Sequence, residues 1–190
     1  MMVNFIGSYT NAISQYNCQK IITIFETSSD RQRKGIFSHG GNIEKLYSED
    51  IKKSTDITYS FFNDDRVTNI IRSGLFSCLD LYKKEYPPLD TCMSPWAVTA
   101  AYNIQRYRPG EGYFREHCEA GYKSSERALA WMLYLNDVED GGTEFPSYNL
   151  TTEAEQGKIL IWPAYWTHSH RGVVSQTKSK YIATGWFQFI

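Results

Sequence analysis

Two short fragments, His117-Cys118-Glu119 and His168-Ser169-His170, hold three of the chain's four histidines together with a carboxylate. Two imidazoles and one carboxylate form the ligand set that grips a ferrous iron from one face and leaves the opposite face open. On an extended segment alternate side chains share a face, so His117 and Glu119 project together while Cys118 points away. The third ligand must come from a distant segment, and the second fragment, some fifty residues on, offers His168 or His170. Facial coordination of this kind keeps neighbouring positions free for a bidentate cosubstrate and dioxygen. The same donors would also take Mn, Co, Ni or Zn. The competing interpretation is ordinary packing, since a lone His-x-Glu is common. Cys118 fits a small buried apolar role better than ligation.

A cation stands downstream of each histidine. Lys178 lies ten positions beyond His168 and Lys180 ten beyond His170, so spacing does not choose between them. Lys180 opens a strand-like run, Lys180-Tyr181-Ile182-Ala183-Thr184-Gly185-Trp186. An inward-pointing lysine there would need a carboxylate partner, because an unpaired buried ammonium is costly. A dicarboxylic cosubstrate would supply one; otherwise both lysines are exposed edge residues.

These residues need a scaffold, and the chain changes character along its length. Up to about residue 95 it is mostly helical. Ile13, Tyr16, Ile21, Ile22 and Phe25 make a loose amphipathic pattern over 10–27, and Ser28-Ser29-Asp30 breaks it. Val67, Ile70, Ile71, Leu75, Leu79 and Tyr82 predict a second helix, with Asp64 or Asp65 as its cap and Pro87-Pro88 as its stop. Residues 31–42 read as a loop. From about Trp96, β-favouring segments at 102–107, 128–135, 158–162 and 181–189 alternate with turn signals at Pro109-Gly110-Glu111-Gly112, Asp140-Gly141-Gly142 and Gly172. Helices first and strands after predict one domain over 1–190, mainly β with helices (α+β), as a β-sandwich or barrel buttressed by N-terminal helices.

Composition narrows the function classes. With 190 residues, 42% hydrophobic and 22% charged, the chain can bury a sizeable core and is not disordered. A net charge of -1 gives no electrostatic case for nucleic acid or an acidic membrane surface. No apolar run approaches the roughly 20 residues that span a bilayer. The first nine residues lack the pattern of a signal peptide, and the four cysteines show no knuckle or disulfide spacing, so a reducing cytoplasmic setting is expected.

From Ile104 to Ile190 the chain resembles the prolyl 4-hydroxylase-like branch of the Fe(II)/2-oxoglutarate dioxygenases. The resemblance rests on Tyr107-Arg108-Pro109-Gly110-Glu111-Gly112-Tyr113 leading to His117-Cys118-Glu119, and on Tyr134-Leu135-Asn136-Asp137-Val138-Glu139-Asp140-Gly141-Gly142-Thr143-Glu144-Phe145-Pro146. Gly157-Lys158, His170-Arg171-Gly172, Lys180-Tyr181 and Gly185-Trp186 follow in order. It implies a double-stranded β-helix, a jelly-roll (cupin-like) core over 96–190 with iron in its mouth. It further implies His117, Glu119 and His170 as iron ligands, the His-Arg-Gly and Lys-Tyr pieces selecting His170 over His168. Lys180 would pair with the distal carboxylate of 2-oxoglutarate, Tyr107 and Thr143 would donate hydrogen bonds to it, and Trp186 would serve mainly as packing.

Two departures stand out. Glu119 occupies a position where the family usually has Asp, one methylene shorter, and an aspartate there is expected to preserve activity. One extra residue precedes His117 and the Gly-Gly-Thr segment is one residue short, which makes Tyr113 a substitute for Tyr107 or Thr143. The implied reaction is hydroxylation of a C–H bond with release of succinate and CO2, ascorbate being a candidate reductant. A prolyl residue of a peptide or protein is the first substrate to test, ahead of free amino acids, other side chains or a modified nucleotide. The loops 31–42 and 148–157 should shape entry, with Tyr148, Trp162, Tyr165 and Trp166 either at the pocket or its rim or in the barrel core, the core being the better role for Trp162. The alternative is a non-catalytic jelly-roll binding module with a vestigial metal site.

Overall fold

The computed structural model describes residues 3–36, 48–121 and 124–190. The first helical pattern becomes α1 (Gln15–Thr27), started by Ser14, whose side chain accepts from Asn17 N, and buried along Cys18, Ile21 and Phe25. The second becomes α2 (Arg66–Glu85). Asp65 caps it, accepting from Thr68 N at 2.9 Å, and Lys83 and Lys84 in its last turn suit the helix dipole. Val67, Ile71, Leu75, Cys78, Leu79 and Tyr82 form its buried stripe. Pro88 opens the short α3 (Pro88–Thr91), at the helix position where a missing N–H costs nothing.

The strands are β1 (Gly7–Tyr9), β2 (Arg33–Lys34), β3 (Thr55–Ser60), β4 (Trp96–Val98), β5 (Ala101–Tyr107), β6 (Arg127–Tyr134), β7 (Val138–Phe145), β8 (Leu150–Ala154), β9 (Ile159–Pro163), β10 (Arg171–Gly172) and β11 (Lys180–Phe189). A large sheet runs β1-β9-β6-β11-β5-β3-β2, with β4 also on β11, and a small sheet runs β10-β7-β8. All their pairings are antiparallel. The core is two layers divided by the large sheet. On one side Leu129, Trp131, Leu133, Ile159, Ile161 and Ala183 pack on the helices. On the other, Ala130, Met132, Tyr134, Leu160, Trp162 and Ile182 meet Val138, Phe145 and Ala154 of the small sheet. The central strands are covered on both faces, which is why they read as short continuous apolar runs. Side chains alternate along a strand, so Lys180 and Trp186 share the face of Ile182, toward the small sheet.

Three local features differ from expectation. The region before residue 95 carries β1, β2 and β3 of the large sheet besides its helices. In β3 only Ile57 and Tyr59 show the buried apolar alternation, because Asp56 is also buried, held by polar partners. Within the expected loop at 31–42, Arg33 and Lys34 pair with β3, and residues 37–42 lie outside the described residues. Asp140-Gly141-Gly142 is not a turn: it lies within β7, where the register shifts between Val138 and Thr143. Gly142 has φ 108° and sits where a Cβ would run into Thr152 O, so the glycine makes a bulge. Gly142→Ala should therefore cost on the order of 2–3 kcal/mol, read as a lowered midpoint in urea unfolding.

Candidate metal centre

The segment holding His117 and Glu119 is irregular chain, not the expected strand end. It is tied to the second fragment by one antiparallel bridge, in which His117 N donates to His170 O at 3.0 Å and His170 N to His117 O at 2.9 Å. That bridge sets the two imidazoles side by side, 4.5 Å between ring centroids. Glu119 joins them through its own backbone, whose N–H donates to Ala164 O at 3.0 Å. Its Oε1 lies 3.4 Å from His170 Nε2 and 3.7 Å from His117 Nε2. One ligand atom from each residue falls within 4.8 Å of the other two, the only such group among the described residues.

The hydrogen bonds on the far side of each ring fix what the near side presents. His117 Nδ1 lies 2.9 Å from Arg115 O, and His170 Nδ1 lies 2.9 Å from His168 O. A carbonyl oxygen only accepts, so both Nδ1 atoms carry the proton. In the neutral imidazoles both Nε2 lone pairs then point at a carboxylate oxygen. Acceptors facing one another need a cation between them, and Nδ1–H bonded to a carbonyl is the usual support of a metal-binding histidine. Burial would raise the Glu119 pKa, yet positive charge and N–H donation from His117 and His170, where those rings are protonated in place of a bound cation, hold it well below the usual carboxylate range. Tyr113 stacks on His117 at 3.7 Å and 14°, while Trp162 and Phe145 pack on His170 at 5.0 and 5.5 Å.

Lys180 is buried on the same inner face, at 4% exposure. Its Nζ donates to Val173 O at 2.6 Å and Gly142 O at 3.2 Å, and among the described residues no carboxylate pairs with it. Burial pulls its pKa down to about 8, with Asp140 opposing weakly. Gly172 lies against the ammonium: a Cβ there would stand 3.8 Å from Nζ, in ordinary van der Waals contact. The lysine is thus a largely desolvated cation held by two backbone carbonyls.

Residues 102–188 match the family model of the 2OG-Fe(II) oxygenase superfamily. The matched stretch is a little under half of the chain. It contains all seven site residues expected from the sequence: Tyr107, Tyr113, His117, Glu119, Thr143, His170 and Lys180. A probable prolyl 4-hydroxylase 9 of Arabidopsis thaliana is 40% identical over 63 residues, covering 30% of this chain. The matched part spans only 22% of that relative's length. Among solved structures, a viral collagen prolyl hydroxylase of Paramecium Bursaria Chlorella virus-1 superposes with a TM-score of 0.65 at 16% identity, covering 98% of this chain and 97% of that one. A Pseudomonas putida prolyl-4-hydroxylase gives 0.69 at 13% identity, covering 99% and 94%. A Trichoplax adhaerens prolyl hydroxylase in complex with a peptide fragment gives 0.63 at 16% identity, covering 98% and 84%. At such identities the likeness is one of fold, and the two facing sheets are a jelly roll.

The jelly-roll fold places the remaining candidates unevenly. His168 stands apart from the metal group: a 3-10 turn at Trp166–His168 breaks the alternation that would have put it beside His170. Its Nε2 lies 2.8 Å from Asn4 O and 3.1 Å from Tyr148 OH. Tyr107 presents its ring 5.8 Å from Lys180 Nζ, while its hydroxyl donates to Gln105 Oε1. Gln105 in turn donates to Asp56, which pairs with the buried Lys52. Thr143 shares a 2.7 Å hydrogen bond with Tyr134 OH. The Cys118 thiol donates to Ala120 O, with its pKa raised by burial. Trp162 is core, whereas Tyr165 and Trp166 are exposed. Sequence reasoning missed Arg127 and undervalued Trp186, whose indole N–H donates to Glu119 Oε2 at 2.8 Å. The only signal for this pair was a lone arginine opening an apolar strand.

Proposed function

We propose that the protein is an Fe(II)- and 2-oxoglutarate-dependent dioxygenase, carried by one domain over 1–190, that hydroxylates a prolyl residue of a peptide or protein. Its metal ligands are His117 Nε2, His170 Nε2 and Glu119 Oε1. The observation that carries this reading is the pair of imidazole lone pairs directed at a carboxylate, together with a buried lysine that has no carboxylate partner among the described residues. When bound, the iron would supply dioxygen activation coupled to oxidative decarboxylation of 2-oxoglutarate, with succinate, CO2 and the hydroxylated substrate as products.

The chain's own residues do the positioning. The Arg115 and His168 carbonyls hold each imidazole in the tautomer that offers Nε2. Tyr113, Phe145 and Trp162 keep the rings from turning and exclude water on their flanks. Lys180 Nζ neutralises the distal carboxylate of the cosubstrate, and Tyr107 and Thr143 flank it as walls of that pocket. Tyr165 and Trp166 form an exposed aromatic rim next to Ala164, which accepts from Glu119 N. A proline ring packs well on such faces, and prolyl hydroxylases, one of them in complex with a peptide, are among the similar structures.

The test is incubation with ferrous iron, 2-oxoglutarate, dioxygen and a library of prolyl peptides. The expected result is one added oxygen on a prolyl residue, matched by succinate. Succinate release unaffected by iron removal, or no peptide oxidised, would contradict it. The lysine adds a pH dependence. Below its pKa of about 8 the free protein presents the charged form and 2-oxoglutarate affinity should be flat. Above it the free lysine loses its proton while the bound one keeps it, so affinity should fall by up to about tenfold per pH unit, read by calorimetry.

A further inference from the structure

Glu119 uses its two oxygens differently. Oε1 faces the histidine nitrogens, whereas Oε2 accepts from Trp186 Nε1 at 2.8 Å and lies 3.5 Å from Arg127 Nη1. Arg127 itself is locked. Its guanidinium lies 3.6 Å over the Trp186 ring, and its Nη1 donates to the Glu119 backbone oxygen at 3.0 Å. Ser124 Oγ donates to the same backbone oxygen at 3.0 Å, and Glu119 N is bonded to Ala164 O. The backbone of residue 119 is therefore pinned from both sides, and only the side-chain length is free to vary.

We infer that Trp186 and Arg127 are positioning residues that hold Oε2, dedicate Oε1 to the metal and so make a glutamate obligatory at position 119. The inference rests on the metal-centre reading above. The indole N–H is a donor only, so it cannot tolerate any orientation but one that meets an acceptor. A hydrogen bond to an ionised carboxylate is among the strong ones, and partners of this kind set metal affinity. An aspartate on the same pinned backbone falls short by about 1.5 Å, one C–C bond. It can serve the indole or the histidine side, not both. This reverses the expectation that Asp would substitute freely. It also gives Trp186 a task beyond packing: β11 supplies the cosubstrate's lysine and the ligand's anchor on one face.

The test is calorimetric titration of Co(II) into the metal-free full chain, without turnover. Trp186→Phe keeps the ring under Arg127 but removes the donor, and should weaken Co(II) binding about tenfold or more. Glu119→Asp should weaken it at least as much. In the Glu119→Asp protein, adding Trp186→Phe should weaken binding no further, because an aspartate turned to the metal has already given up the indole. Either single variant binding within twofold of the parent, or losses that multiply in the double variant, would overturn the inference. Should Trp186→Phe not fold, judged by thermal unfolding, Arg127→Lys is read in the same way against the same limits. His117→Ala separates the two levels. If it leaves Co(II) binding intact, or the parent takes up no Co(II), the metal-centre reading fails and the clamp with it.

Discussion

Replacing His170 by alanine is expected to abolish succinate release, by on the order of 10³-fold or more, while His168→Ala retains most of it. The two histidines differ by two positions and in nothing else visible at the level of residue type. In the fold they differ completely. His170 Nε2 faces Glu119 Oε1 with its Nδ1 already committed to a carbonyl, so its loss leaves two donors where facial ligation needs three. The His168 ring is engaged with Asn4 O, Tyr148 and Thr167. Its contribution to the centre is its backbone carbonyl, which survives truncation. His168→Ala should instead lower stability by about 1–2 kcal/mol through lost buried hydrogen bonds. Activity loss from His168→Ala as large as from His170→Ala would refute this assignment.

Lys180→Met is expected to raise the dissociation constant for 2-oxoglutarate by about 100-fold or more, at unchanged metal stoichiometry. The ammonium is buried and held by two carbonyls, with no carboxylate beside it among the described residues. Removing one partner of a buried charge pair costs about 2–5 kcal/mol, much of it from stranding the other charge. Methionine keeps length and bulk, so the loss reports charge rather than shape. If Lys180→Met binds 2-oxoglutarate as the parent does, the distal carboxylate is held elsewhere.

How much of this was legible in the sequence depended on how local each determinant is. The α2 stripe and its Asp65 cap are encoded within a few residues, and the central strands announced themselves as short apolar runs because both their faces are covered. By contrast, β3 hid because Asp56 is satisfied by Lys52, Ser54 and Gln105, partners unknown until the sheet is assembled. Gly142 looked like a turn because glycine at positive φ serves turns and bulges alike. The metal-ligand candidates were visible as residue types, and the structure brings His117, Glu119 and His170 together. What spacing could not show is the tautomer of each imidazole or the anchoring of Glu119 by Trp186 and Arg127, since those bonds join segments that meet only in the folded sheet.

The proposed function requires that this centre hold one ferrous iron that 2-oxoglutarate completes. Its most direct test is the iron bound per chain under anaerobic conditions, with and without 2-oxoglutarate, in the parent and in His117→Ala. One iron per parent chain is expected, bound more tightly with 2-oxoglutarate, and none retained in His117→Ala. A parent chain that binds neither iron nor 2-oxoglutarate would contradict it, and would mark the jelly roll as a binding module with a vestigial site.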